Sequence, residues 1–141
     1  MICDMKELDK VSYELFKKLF AKITDGIEIP IKSTQLYMLY FIRTKGECMV
    51  TDIAGYLEVT MGAVTSLVDR LIEFDLVERS RSKTDRRQVI ITLSKNGDNL
   101  LKKIDKNRES FIKHSFSDMD PLEIEYFSNM MKKIITKILY T

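Results

Sequence analysis

A short basic segment offers the clearest chemistry in this sequence. Five cationic side chains fall within the nine residues 79–87: Arg79, Arg81, Lys83, Arg86 and Arg87, with Asp85 among them. Arginine and lysine at this density bind phosphate oxygens, and arginine also suits a narrow minor groove, where negative potential is concentrated. The alternative is a solvated turn, but this density of cations exceeds what solubility needs.

A second group of residues is suited to contact base edges. The segment from position 60 carries small or polar side chains at helical spacing: Thr60, Met61, Gly62, Thr65, Ser66 and Arg70. Small residues on such a face let a helix enter the major groove, which bulky side chains would prevent. We predict a phosphate contact at Thr60 and the helix N-terminus. Thr65 and Ser66 are predicted to read bases, Met61 to touch a thymine methyl, and Arg70 to reach a guanine or the backbone.

The elements between residues 51 and 93 position both groups. Thr51 and Thr60 stand where each of two short helices needs an N-cap, and Val59, in the turn between them, is predicted to pack inward. Apolar residues at steps of three and four over 64–72 indicate one buried helical face. The pattern therefore predicts two helices joined by a tight turn.

A change of period marks the hairpin that follows. Beyond Phe74 the apolar residues alternate, first at Leu76 and Val77 and then over 89–93. The basic segment lies between these two runs. We therefore predict a two-stranded hairpin with a cationic tip, and we expect Arg79 and Arg81 to contact phosphates.

Two stretches of this segment match a known pattern. The helix pair reads IAGYLEVTMGAVTSLVDRLIEFDLVER and the hairpin reads TDRRQVIITLSKNG, in which Asp85, Arg87, Leu93 and Gly97 hold the positions of a wing motif. In these residues the chain resembles the MarR family of bacterial and archaeal transcription regulators. We predict that Arg87 enters the minor groove and that Asp85 holds its guanidinium by a bidentate pair.

Two positions depart from the family's usual residues. Ser94 replaces a threonine, which preserves the capping chemistry at the start of the next helix. Asp75 replaces a glycine at the end of the second helix, where a left-handed backbone is expected.

The resemblance implies the layout of the whole chain. The expected fold is mainly α with a small β-wing, in a single domain spanning 1–141. A winged helix-turn-helix core over about 34–93 is flanked by dimerisation helices over about 6–25 and 95–140. The implied function is that of a homodimeric, ligand-responsive repressor that binds a pseudo-palindromic site in double-stranded DNA.

The flanking helices carry apolar stripes that the small central core cannot cover. The predicted dimer interface consists of Leu8, Val11, Leu15, Phe127, Met131, Ile134 and Ile138. Asp120, Pro121 and Glu123 predict the start of the last helix, as N-cap, first residue and capping-box acid. The alternative is that the stripes close the core of a monomer. Two-fold symmetry fits a pair of recognition helices about 34 Å apart.

Composition and missing motifs narrow the function classes. The formal net charge is only +2, so the argument for DNA rests on where the cations lie. The sequence holds no phosphate loop, metal-ligand spacing or nucleophile motif. We therefore expect that the protein is not an enzyme and that it binds no cofactor or metal. It holds no apolar run of the roughly 18 residues that a membrane span needs and no signal-peptide core. A cytoplasmic protein is expected.

Alternatives and a ligand remain open at this point. A winged-helix protein-interaction module would keep the core pattern but lose the wing cations. A thiol-based redox-sensing repressor would use Cys3, although Asp4 and Glu7 lie close to it in sequence and raise a thiol pKa. Cys48 is expected to be a small buried hydrophobe.

An effector is suggested only by the family. Relatives bind small aromatic or phenolic anions in a cleft between the dimer helices and the winged core. In this sequence, Tyr37, Met38 and Tyr40 are candidates to line such a cleft.

Overall fold

The computed structural model describes residues 4–140, which form six helices and a three-stranded antiparallel sheet. The helices are α1 Met5–Ile23, α2 Ser33–Lys45, α3 Val50–Leu57, α4 Met61–Glu73, α5 Lys95–Ser115 and α6 Pro121–Leu139. The strands are β1 Glu47–Cys48, β2 Val77–Arg81 and β3 Val89–Leu93, in the order β1-β3-β2. The predicted fold class, mainly α with a small winged sheet, is confirmed.

The sheet contains a strand that the sequence did not predict. Glu47 pairs with Thr92 and Cys48 with Ile91, so β3 lies in the middle and not at the edge of a two-stranded hairpin. Two residues are too few to show an alternating pattern, which explains the omission. The extra strand ties the start of α3 to the base of the wing.

Two compact units make up the chain, one extending to Asn107 and the other beginning at Arg108. The core of the first unit is formed by side chains from α2, α3, α4, α5 and the sheet. Its largest fully buried members are Met38, Leu39, Ile42, Ile53, Leu71, Leu76, Ile91, Leu101 and Ile104. This core fixes α4 and the hairpin on one scaffold.

The structure corrects two predictions around α3. The helix begins at Val50, one residue before the predicted cap Thr51, and the Asp52 carboxylate accepts the backbone N–H of Met49 at 2.8 Å. An acid at the third helical position commonly bonds back to the N–H of the cap residue in this way, and Thr51 lies inside the helix as its second residue. Val59 is 39% exposed, so it does not pack inward as predicted.

Three other predicted helix starts are confirmed. Thr60 Oγ1 accepts the backbone N–H of Ala63 at 3.2 Å, at the start of α4. Ser94 Oγ accepts that of Gly97 at 2.9 Å, at the start of α5. Asp120 caps α6, with Pro121 as the first residue of the helix.

The junction between α4, the sheet and α5 is held by close contacts. Asp75 has the expected left-handed backbone, with φ +56°, and its carboxylate accepts a hydrogen bond from Asn96 Nδ2 at 2.6 Å. The Ser94 hydroxyl donates to the Asp75 carbonyl at 2.6 Å. A methyl group on Gly97 would lie 2.1 Å from the carbonyl oxygen of Leu76, so only glycine fits there.

The second unit contains the end of α5 and all of α6. The rings of Phe116 and Phe127 pack with their centroids 5.8 Å apart. The described side chains of α6 include no fully buried residue, and many of its apolar side chains are exposed. Across residues 4–140, no helix carries an apolar stretch of the length required to cross a membrane.

Candidate nucleic-acid interface

The start of α4 presents backbone N–H groups and a hydroxyl at the protein surface. Thr60 is exposed and fixes the first turn through its bond to Ala63. The first N–H groups of a helix lack partners within it and carry the positive end of the helix dipole. This geometry suits an anionic group such as a phosphate.

One side of α4 is buried and the other is open. Val64, Val68 and Leu71 are completely buried on the inner side. The exposed side, here called the reading face, consists of Thr60, Met61, Gly62, Thr65, Ser66, Asp69 and Arg70. The division matches the one predicted from the helical period.

Small side chains leave the first two turns of the reading face accessible. The Thr65 hydroxyl donates to the Met61 carbonyl at 3.0 Å, which leaves its oxygen free to accept another bond. A methyl group on Gly62 would meet no atom of the chain within 4 Å. Nothing inside the described structure therefore requires glycine at this position.

The wing is formed by β2, β3 and the turn between them. Arg79 pairs with Ile91 and Arg81 with Val89 in the ladder. Arg81 Nη1 donates to the Arg86 carbonyl at 2.9 Å, across the base of the turn. This bond makes Arg81 part of the wing's internal structure.

Three cationic side chains at the wing tip form no ion pair with another described residue. The side chains of Lys83, Arg86 and Arg87 are exposed, and within residues 4–140 none forms an ion pair. Uncompensated cations at an exposed tip are available to an external anion.

Asp85 contacts Arg87, but not as the sequence predicted. Its Oδ1 accepts the backbone N–H of Arg87 at 3.0 Å, and the described structure records no pair with the guanidinium. A short aspartate side chain bonds readily to the backbone two residues ahead, which stabilises the turn. In this structure Asp85 therefore shapes the wing tip and leaves the Arg87 guanidinium free.

Two ion pairs on α4 were not predicted. Arg79 Nη2 lies 2.5 Å from Asp69 Oδ1, which connects the wing to the reading face. Arg70 lies 3.8 Å from Glu73 and also stacks over the ring of Phe74, at 5.4 Å from its centroid. The sequence signal for the first pair was an acid on an otherwise cationic surface, but its partner is set by the fold.

An open cavity of about 410 Å³ lies between α1 and α2. Its lining is mostly aromatic and aliphatic, with one cation: Tyr13, Phe16, Lys17, Leu19, Phe20, Ile23, Ser33 and Tyr37. Of the three residues expected to line a ligand cleft, Tyr37 lines this cavity, and Met38 is instead fully buried in the core. Tyr40 is half-buried, and its hydroxyl donates to Asp105 Oδ1 at 2.8 Å.

Of the two cysteines in the sequence, Cys48 lies within the described residues. Cys48 is buried, as predicted, and burial together with the nearby Asp52 carboxylate raises its thiol pKa to about 11. A neutral buried thiol is a poor nucleophile. The prediction about Cys3 lies outside the described residues.

The predicted dimer residues lie on two exposed helices. On α1, Leu8, Val11 and Leu15 are exposed by 49%, 55% and 46%. On α6, Met131, Ile134 and Ile138 are exposed by 42%, 57% and 71%. Phe127 is half-buried, against Phe116. Apolar side chains in this number at a surface are typical of an interaction site.

Comparison with known proteins finds similarity to one family of regulators. The family model described as MarR matches residues 31–89. The "Uncharacterized HTH-type transcriptional regulator YpoP" of Bacillus subtilis (strain 168) is 26% identical over 133 residues, which cover 92% of this chain and 94% of that protein. The "HTH-type transcriptional repressor MdtR" of the same organism is 24% identical, over 92% of this chain and 84% of the relative.

A solved structure confirms the fold. Streptococcus pneumoniae FabT, determined in complex with DNA, superposes with a TM-score of 0.83. The match covers 96% of this chain and 97% of FabT, at 18% identity. At that identity the likeness establishes the shared fold alone.

Proposed function

We infer that this chain is a transcriptional regulator of the MarR family, and that it acts as a homodimeric repressor that binds a pseudo-palindromic site in double-stranded DNA. The observation that carries the inference is the reading face beside the unpaired wing cations. A small, polar helix face and a cationic hairpin on one rigid core match the two grooves of DNA.

Each part of this surface has a distinct role in the proposal. Thr60 and the N-terminus of α4 bind a phosphate, which sets the register of the helix. Thr65 and Ser66 read base edges in the major groove. Arg87 enters the minor groove, and Lys83 and Arg86 contact the backbone.

Two further observations support the assignment. FabT, which shares the fold, was determined in complex with DNA. MdtR, which resembles this chain over most of its length, is a transcriptional repressor by name. We therefore extend DNA binding and repression to this chain as proposals.

The proposal of a dimer rests on α1 and α6. Both helices leave large apolar side chains exposed, and a buried interface would remove them from water at a gain of about 25 cal/mol per Å². A two-fold axis would set two reading faces about one turn of DNA apart, ~34 Å.

A selection experiment tests DNA binding and its division of roles. Fragments bound from a random double-stranded pool should share a pseudo-palindrome. The Thr65→Val and Ser66→Ala variants should relax the preference at one position in each half-site, at a cost of about 1–3 kcal/mol there. Arg86→Ala is the matched comparison, since it should lower the affinity for all DNA sequences alike and reduce the salt slope by about one per site. Unchanged base preferences in both helix variants would contradict the reading role of α4.

Sedimentation tests the dimer separately. The wild-type protein should sediment as a dimer at micromolar concentration. Ile134→Asp should dissociate it, because an unpaired charge in an apolar interface costs several kcal/mol. Lys133→Asp, on the same exposed helix but at a polar position, serves as the control for added negative charge. A wild-type monomer would refute the dimer.

We also propose that the cavity between α1 and α2 binds a small aromatic anion that releases the repressor from DNA. Its aromatic lining suits a planar ring, and Lys17 suits a carboxylate or phenolate. Release of a labelled operator should be screened against benzoates and phenols. Lys17→Gln should weaken the response to anionic ligands more than to neutral ones, and an equal response to both would contradict this role.

A further inference from the structure

An ion pair joins the reading face of α4 to the wing. Arg79 Nη2 donates to Asp69 Oδ1 at 2.5 Å, from the middle of β2 to the third turn of α4. The Asp69 side chain is 55% exposed and that of Arg79 is 40% exposed. The pair therefore lies on the surface that the proposed function turns toward DNA, and not inside the core.

A carboxylate at this place needs an explanation. DNA carries a dense array of negative phosphates, and an unpaired acid on the reading face would repel them. Arg79 neutralises that charge at the cost of one of its five N–H donors, so the remaining donors stay available to a phosphate oxygen. The pair is thus compatible with DNA binding, but it restricts where the guanidinium can go.

That restriction has a different effect on different DNA sequences. A free arginine follows whichever phosphate is near, so it strengthens binding to any sequence. An arginine held beside α4 reaches a phosphate only when α4 occupies one particular position in the groove. Correct base contacts set that position, so the phosphate contact becomes conditional on sequence.

We propose that Asp69 is a positioning residue that sets sequence discrimination, because it holds Arg79 against α4 and so denies its guanidinium to non-specific DNA. The proposal rests on the DNA-binding function proposed above. It predicts that loss of the Asp69 carboxylate strengthens non-specific binding more than it strengthens operator binding.

The test compares affinity for a selected operator with affinity for random-sequence DNA of equal length, over a series of salt concentrations. Asp69→Asn keeps the shape of the side chain and removes its charge. Non-specific affinity should rise, with a salt slope steeper by about one per reading face, because one more phosphate is contacted. The ratio of operator to non-specific affinity should fall about two- to fivefold, the range expected of an exposed ion pair.

Glu78→Gln is the matched control. It removes the same charge from the exposed residue next to Arg79 in β2, and no ion pair within residues 4–140 involves Glu78. Both affinities should change together, so the ratio should stay constant. Equal falls in the ratio for Asp69→Asn and Glu78→Gln would show that net charge alone causes the effect, and would overturn the proposal.

Two more variants separate positioning from folding. Arg79→Lys keeps the charge but loses the planar fork, and should lower the ratio as Asp69→Asn does. In an Arg79→Ala background, Asp69→Asn should leave the ratio unchanged, since there is no guanidinium left to release. A fall of the same size in that background would overturn the proposal.

The outcome for the wild-type protein separates the two hypotheses. If the wild type binds no selected fragment in a salt-dependent way, the proposed function fails. If it does bind, but Asp69→Asn has an unchanged ratio and a melting temperature close to that of the wild type, only the role of Asp69 fails.

Discussion

Gly62→Ala should stabilise the folded protein and weaken it as a regulator. Gly62 is the second residue of α4, and an added methyl group would meet no atom of the chain within 4 Å. Alanine reduces the conformational freedom of the unfolded chain and favours a helix over glycine by about 0.5–1 kcal/mol. The melting temperature should therefore rise by about 1–4 °C for a chain of this size.

The affinity of Gly62→Ala for the operator should fall, although its stability rises. The methyl group would project from the reading face, between the Thr60 cap and Thr65, where the proposal brings DNA into contact. Forcing an extra methyl into a closely packed site costs ~1–3 kcal/mol. Operator affinity should fall about five- to 150-fold, and more if both protomers of a dimer are affected.

Gly55→Ala supplies the comparison. Gly55 lies inside α3, is exposed, and would also place a methyl group in open space. Thermal unfolding followed by circular dichroism, and operator titration by fluorescence anisotropy, should be measured for both variants. Gly55→Ala should gain stability without losing affinity. If Gly62→Ala gained stability and kept its full affinity, DNA would not approach this face, and the assignment of α4 would be refuted.

Three further predictions follow from other parts of the chain. Gly97→Ala should lower the free energy of unfolding by ~3 kcal/mol or more, measured by urea titration, because its methyl group would lie 2.1 Å from the Leu76 carbonyl oxygen; an effect below about 1 kcal/mol would contradict the packing at this junction. Arg87→Ala should weaken binding to all sequences, most for sites with narrow A·T minor grooves, and an unchanged affinity at moderate salt would exclude the wing contact. Cys48 favours its neutral thiol in the folded state, with a pKa of about 11, so folding should lose stability as pH rises from ~8.5, the unfolded thiol value, toward 11; the difference in unfolding free energy between wild type and Cys48→Ala should shift in that direction over this range, and a pH-independent difference would contradict it.

Local signals in the sequence were sufficient for most of the helices. The Thr60, Ser94 and Asp120 caps were predicted because a capping side chain acts on an N–H only two or three residues away. The error at Thr51 arose from a competing local bond, since Asp52 binds the N–H of Met49 and moves the start of α3. Such competition depends on geometry that residue types alone do not fix.

Contacts between elements were beyond the reach of sequence patterns. The pair of Asp69 and Arg79 depends on how α4 lies against β2, and no period in the chain reports that angle. The two-residue strand β1 exists because β3 offers it an edge. The sequence identified the contact between Asp85 and Arg87 but not the atoms that form it. The Asp85 carboxylate binds the backbone N–H of Arg87, which is nearer to it than the flexible guanidinium.

Some residues are unfavourable for the local backbone that they adopt, and the contacts around them show whether the fold or a binding partner requires them. Asp75 adopts a left-handed backbone, but bonds to Ser94 and Asn96 compensate for it inside the chain, and its charge lies beside the N-terminus of α5. Gly97 is likewise explained by the Leu76 carbonyl. Gly62 has no such explanation within the described residues, although glycine weakens a helix. Gly55 also has no contact that requires glycine, but it does not lie on the reading face. Comparing the two alanine variants therefore measures the effect of the position on DNA affinity. If the loss of helix stability at Gly62 serves binding, alanine should reduce DNA affinity there and not at Gly55. The partner that requires glycine would then lie outside the chain, and the small side chains around Gly62 fit a major groove.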